Sequence, residues 1–96
     1  MSQLTIYGVV GASGERKSGN GFKVVKEATP PGVYNLIFDK KFSILPAVVA
    51  MAVDPPSDLL PNAESLKQDS VKIIMRLSSD SISTDAEFSF IAMGEE

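Results

Sequence analysis

The residues with the clearest chemical potential lie near the start of the chain. In Ile6 to Gly14, IYGVVGASG, glycine recurs at Gly8, Gly11 and Gly14. A strand running into spaced glycines has the form of a dinucleotide-binding turn, where the bare backbone approaches a pyrophosphate held at a helix N-terminus. The residues that follow, ERKSGNG, return to glycine before one good helical turn can form. The overlapping stretch Gly11 to Ser18, GASGERKS, is a near miss for a phosphate loop. Such a loop needs glycine directly before its lysine, and Arg16 precedes Lys17. Both motifs reduce to a flexible glycine-rich loop between two strands.

Arg16, Lys17, Lys23 and Lys26 cluster around that loop. Basic residues so grouped suit an anion, a glycan or a nucleic acid. Glu15 and Glu27 interleave with them, so the pattern reads as the solvated face of an edge strand, where lysine also discourages edge-to-edge pairing. Asp54 and Asp58 flank Pro55-Pro56, and Asp39 precedes Lys40. Calcium needs several converging oxygens, and this spacing does not match an EF-hand loop. Asp80 and Asp85 bracket turns that aspartate favours in any case. The chain has no cysteine and no histidine. A disulfide, a thiolate nucleophile, a zinc–sulfur site and imidazole acid–base chemistry are thereby removed. A serine–lysine pair would have to be assembled by folding alone. No catalytic, cofactor-binding or metal-binding residue is assigned, no cofactor is expected, and an enzyme is not expected.

The 96 residues suit one domain, 1–96, with 44% hydrophobic and 22% charged residues, ordinary values for a folded globular chain. Acidic residues outnumber basic ones 12 to 9, for a net charge of −3, which argues against nucleic acid as the main partner. The opening MSQLTIYGVV lacks the basic start and long apolar run of a secretory signal. No apolar run reaches the ~18 residues of a membrane span; the longest, Pro46 to Val53, is far shorter. A soluble protein without membrane insertion is expected.

Hydrophobicity alternates with a period near two almost everywhere, the mark of strands. Val71, Ile73, Met75 and Leu77 fall on one face, with Lys72, Ile74 and Arg76 on the other. Phe88, Phe90 and Ala92 share a face, as do Tyr34, Leu36 and Phe38, and Phe22 with Val24. Breakers separate the runs: the early glycines, Pro30-Pro31-Gly32, Lys40-Lys41, Pro55-Pro56 with Pro61, and Ser78-Ser79-Asp80. Short strands at this spacing predict an all-β antiparallel β-sandwich, jelly-roll-like. At most one short helix is expected, over Asn62 to Gln68, with Asn62 as its cap.

Several strands are apolar on both faces, whereas a free-standing sandwich should be polar outside. Val33 and Ile37 lie opposite Tyr34, Leu36 and Phe38. Val48, Ala50 and Ala52 lie opposite Val49, Met51 and Val53. Ile74 sits on a polar face, and Ile91 and Met93 lie opposite Phe88 and Phe90. Each such side chain gains about 1.5–3 kcal/mol on burial. Self-association through strand faces is therefore expected, with Val33, Ile37, Val48, Ile74 and Ile91 as candidate interface residues. The alternative is cover from the stretch Asp54 to Asp69.

One ordered pattern resembles a family. Gly21-Phe22-Lys23-Val24 is followed by Gly32-Val33-Tyr34-Asn35-Leu36-Ile37-Phe38, then Phe42-Ser43 and Pro46-Ala47-Val48-Val49. The pattern is similar to the small β-sandwich domains at the C-termini of bacteriophage tail fibres and related phage-like appendage proteins. It covers residues 21 to about 50, with Val71-Lys72-Ile73 and Phe88 to Ala92 matching in character. Similar patterns recur in lectin-like and tumour-necrosis-factor-like trimers. The resemblance implies a jelly-roll-like sandwich, a homotrimer, a place on a virion or phage-like particle, and recognition of a cell-surface glycan or protein. No binding residue carries over. Fibre tips follow a long stem, while this chain enters a strand soon after Met1, which implies a stand-alone relative. Two functions are carried forward: a non-catalytic oligomeric binding module, and a structural self-assembling subunit with no small ligand.

Overall fold

A computed structural model describes residues 2–53, 59–77 and 83–96. Its strands are β1 (Gln3–Val10), β2 (Arg16–Gly19), β3 (Phe22–Lys26), β4 (Val33–Phe38), β5 (Ala47–Ala52), β6 (Leu59–Glu64), β7 (Ser70–Leu77) and β8 (Phe88–Glu95). They form two antiparallel four-stranded sheets, ordered β2-β1-β8-β5 and β3-β4-β7-β6. The chain changes sheet after β2, β4, β5 and β7, so both sheets are sewn from the whole length of the sequence. This is the all-β antiparallel sandwich that the alternation predicts; its strand order, with the hairpins β1-β2, β3-β4 and β6-β7 each inside one sheet, is not that of a jelly roll.

The alternating residues meet between the sheets. Ile6 and Val10 of β1 face Tyr34, Leu36 and Phe38 of β4, Val71, Ile73 and Met75 of β7, and Phe88, Phe90 and Ala92 of β8 in one core. All five phenylalanines of the chain are buried there. Phe22 meets Phe90 edge to face across the sheets, with ring centroids 4.8 Å apart. Tyr34 meets Phe88 in the same way at 5.1 Å, and Phe42 closes one end against Phe38 at 5.5 Å.

Gly8 sits in the middle of β1, where glycine ordinarily weakens a strand. The Phe22 ring occupies the space its side chain would take. A Cβ at Gly8 would lie 2.5 Å from two ring carbons of Phe22 and 2.8 Å from the carbonyl oxygen of Ser18. At the Pro30-Pro31-Gly32 turn, Gly32 adopts φ +81°, and its N–H donates to Asp85 Oδ1 at 2.6 Å.

Two local expectations are corrected. Asn62 to Gln68 is not a helix. Its first residues belong to β6, which ends at Glu64 and is followed by Ser65 with φ 53°. Two isolated turns of helix are marginal in water, while β7 offers a full row of ladder partners. Pro61, opposite Met75, is tolerated because β6 is an edge strand and needs donors on one side only. Arg16 to Gly19 is not a loop but β2, paired with β1 through a bulge that leaves Lys17 as the extra residue. The expected turns at Pro55-Pro56 and Ser78-Ser79-Asp80 fall outside the described residues.

Gly8→Ala is expected to destabilise the fold by about 1–3 kcal/mol, the usual penalty of overfilling a packed core. A lower urea midpoint at constant m-value checks this. An unchanged midpoint would mean that Phe22 moves aside freely.

Candidate functional site

The glycine-rich stretch forms a closed turn between β1 and β2. The Gly11 N–H donates to the Glu15 carbonyl at 2.8 Å, and the Gly14 N–H to the Gly11 carbonyl at 2.9 Å. The Ser13 hydroxyl donates to Glu15 Oε1 at 2.6 Å. That bond, with help from Glu15's own backbone N–H, holds its carboxyl below the usual range. A carboxylate anchored inside the turn repels a phosphate there, and a strand rather than a helix follows. The turn is a connector.

Folding disperses the basic cluster. Arg16 donates to the Phe22 carbonyl at 3.0 Å and stands over the Phe22 ring, 5.7 Å from its centroid. Lys17 pairs with Glu87 at 2.7 Å, and this hydrogen bond raises the lysine pKa. Lys26 pairs with Asp85 at 3.1 Å. Lys23 alone goes to the outer face of the second sheet, by alternation with the buried Phe22. Asp85, read from sequence as a turn residue, clamps the Gly32 N–H and Lys26 together. Asp54, Asp58 and Asp80 lie outside the described residues; Asp39 is exposed, its N–H bonded to the Gly21 carbonyl.

Among the described residues, Tyr34 is the buried titratable group. Its hydroxyl donates to the Ala12 carbonyl at 2.6 Å and accepts from the Ala86 N–H at 3.2 Å. Burial pushes its pKa up to about 12, against the lowering effect of the Ala86 N–H, with Asp85 and Glu15 adding to the rise. A neutral phenol bound on both sides ties two loops to the core.

The residues that face outward from the first sheet are of another kind. The strand registers place Tyr7, Ile91 and Val49 in one row across β1, β8 and β5. Beside it run Thr5, Met93 and Ala47, and on the other side Val9, Ser89 and Met51, with Ser18 of β2 opposite Val9. None of these ten residues is charged. Tyr7 is 60% exposed, Val49 67% and Met51 68%. A shallow depression of about 380 Å³ runs across them. Ile44 and Leu45, in the segment before β5, are also exposed.

Of the five expected interface residues, Ile91 lies in this face at 48% exposure. Ile37 is half-buried on the outer side of the second sheet. Val33 and Ile74 pair with each other across β4 and β7 and are already buried within the chain. Val48 is on the inward side of β5, packed against the core. The apolar surplus is thus carried by Tyr7, Val49, Met51 and Met93 in their place. The alternation of β5 is visible in sequence, but which of its two apolar faces points inward depends on its pairing with β8. Tyr7 is hidden in sequence by the glycines around it.

Comparison with protein-family models, with curated proteins and with solved structures finds no match to this chain. Among the described residues, no helix is long and apolar enough to cross a membrane.

Tyr34→Phe is expected to cost about 1–3 kcal/mol, because it leaves the Ala12 carbonyl and the Ala86 N–H without their buried partner. The folded pKa lies above the unfolded value of about 10, so the protonated phenol favours the fold fully below pH 10. That contribution is lost as pH rises towards 12. Urea midpoints measured from pH 8 to 12 should fall more steeply in the wild type than in Tyr34→Phe.

Proposed function

We propose that this chain is a non-catalytic module that assembles with copies of itself through the outer face of β2-β1-β8-β5. The observation that carries this is the uncharged face centred on Tyr7, Val49 and Ile91. Patches of this kind on monomers are small or functional. From the exposures of Tyr7, Val49, Met51, Ile91 and Met93, the face offers on the order of 600 Å², near the ~800 Å² each side of a stable interface buries.

A copy of the chain is the occupant that suits this face. A surface with no charge demands none from its partner, so it is complementary to itself. It also continues to β5, the margin of its sheet, whose sequence AVVAMA carries none of the lysine or proline that protects natural edges. The resemblance to fibre-tip domains makes three copies the expected order. It also makes recognition of a cell-surface glycan or protein the expected task of the assembly, at surfaces left outside the contact.

Sedimentation equilibrium at micromolar concentration checks the assembly. The wild type is expected to be an oligomer, and Val49→Glu and Ile91→Glu to weaken association about 100-fold or more with unchanged far-UV circular dichroism. A glutamate at Val25, on the opposite sheet, should leave association unchanged. A wild-type monomer at tens of micromolar would refute the proposal.

A further inference from the structure

The outer face of the second sheet differs in chemistry from that of the first. Lys23, Ile37 and Ser70 form one row across β3, β4 and β7, and Val25, Asn35 and Lys72 the next. A depression of about 410 Å³ lies over these rows, bordered by Ser65 and Lys67 from the loop after β6. The Lys67 N–H donates to the Ser70 carbonyl at 2.8 Å, so the loop is closed and Lys67 is held beside the sheet.

The lysines of this groove differ from the ion-paired cations of the chain. Lys17, Lys26, Lys40 and Arg76 each hold a carboxylate. Among the described residues, no carboxylate stands within ion-pair distance of Lys67, Lys72 or Lys23. Glu64 lies directly across the ladder from Lys72, yet its carboxylate goes to Arg76 at 3.6 Å. Glu27 is engaged by the Asn35 amide at 3.1 Å. The same amide donates to the Val25 carbonyl at 3.2 Å, which orients the side chain and leaves its oxygen as an acceptor.

We propose that this groove binds an acidic saccharide. Lys67 and Lys72 meet the carboxylate or sulfate. Ser65, Ser70 and the Asn35 oxygen meet ring hydroxyls, and Val25 (51% exposed) with Ile37 meets the apolar face of the ring. A bare inorganic anion would use the lysines and leave the aliphatic pair without a role. A single-stranded nucleic acid would call for aromatic stacking platforms, and the two rows contain no aromatic residue. The proposal deepens the recognition part of the proposed function and is independent of the self-association face, which lies on the opposite sheet.

Isothermal titration of the full chain tests it, with oligogalacturonate as the carboxylate probe and a chondroitin sulfate oligosaccharide as the sulfate probe. A neutral cello-oligosaccharide and inorganic sulfate serve as comparisons. At least one acidic oligosaccharide is expected to bind more tightly than either comparison. Lys67→Gln/Lys72→Gln should weaken that binding at least 10-fold and Val25→Ser several-fold, while Lys41→Gln, an exposed lysine elsewhere, leaves it unchanged. Each variant is checked by sedimentation, so a lost assembly is not mistaken for a lost site. The proposal is overturned if neither acidic probe binds, if the double variant binds as the wild type does, or if inorganic sulfate binds as tightly as the saccharides. Binding of the neutral oligosaccharide alone would also overturn it, while leaving the recognition function standing.

Discussion

Everything in this fold depends on aromatic side chains bridging two sheets that no strand ladder joins among the described residues. Phe22 reaches Phe90, and Tyr34 reaches Phe88, across the interior. Edge-to-face pairs of this kind add about 0.5–1.5 kcal/mol beyond the area they bury, a large share for a domain whose total stability is on the order of 5–15 kcal/mol. They join β3 and β4 of one sheet to β8 of the other. Gly8 is absent of side chain because the Phe22 ring needs that volume. The Tyr34 hydroxyl then extends the same contact outward, holding Ala12 on one side and Ala86 on the other.

A two-layer protein has one shared interior and two exteriors, and here the exteriors have opposite characters. The outside of β2-β1-β8-β5 is uncharged and apolar at its centre. The outside of β3-β4-β7-β6 carries lysines, hydroxyls and an amide around a small aliphatic floor. Ile74 and Val33 are on that second exterior by alternation, yet they are covered within the chain, which leaves the rows nearer Lys23 and Lys72 as its open part. The division of labour proposed for the two faces follows from this asymmetry: one surface avoids water and suits its own copy, the other retains unneutralised positive charge.

The ion pairs serve the frame. Lys17 with Glu87 links the bulge of β2 to the approach to β8, and Lys26 with Asp85 links the end of β3 to the same approach. Such exposed pairs contribute little singly. Their effect here is positional, since Asp85 also receives the Gly32 N–H and so fastens the proline turn to the segment before β8.

Alternation along Phe22–Val24, Tyr34–Phe38, Val71–Met75 and Phe88–Ala92 was enough to define the strands and the core face of each, because a period of two leaves a half-buried strand only one way to face inward. The absence of histidine and cysteine likewise restricted the available chemistry before any folding was considered. Where both faces were apolar, alternation lost its power. In β5 the inward side went to Val48 because Val48 stands opposite Ala92 in the ladder, a long-range fact that no local pattern contains. The short polar run Asn62 to Gln68 suited a helix locally, but its first three residues joined the edge strand β6 because β7 offered hydrogen-bond partners, and the rest is loop. The meeting of Lys67 and Lys72 with Asn35 and Val25 depended on the order β3-β4-β7-β6. Residue types and their period thus determined which side chains avoid water; strand pairing across the chain alone decided which of them share a surface.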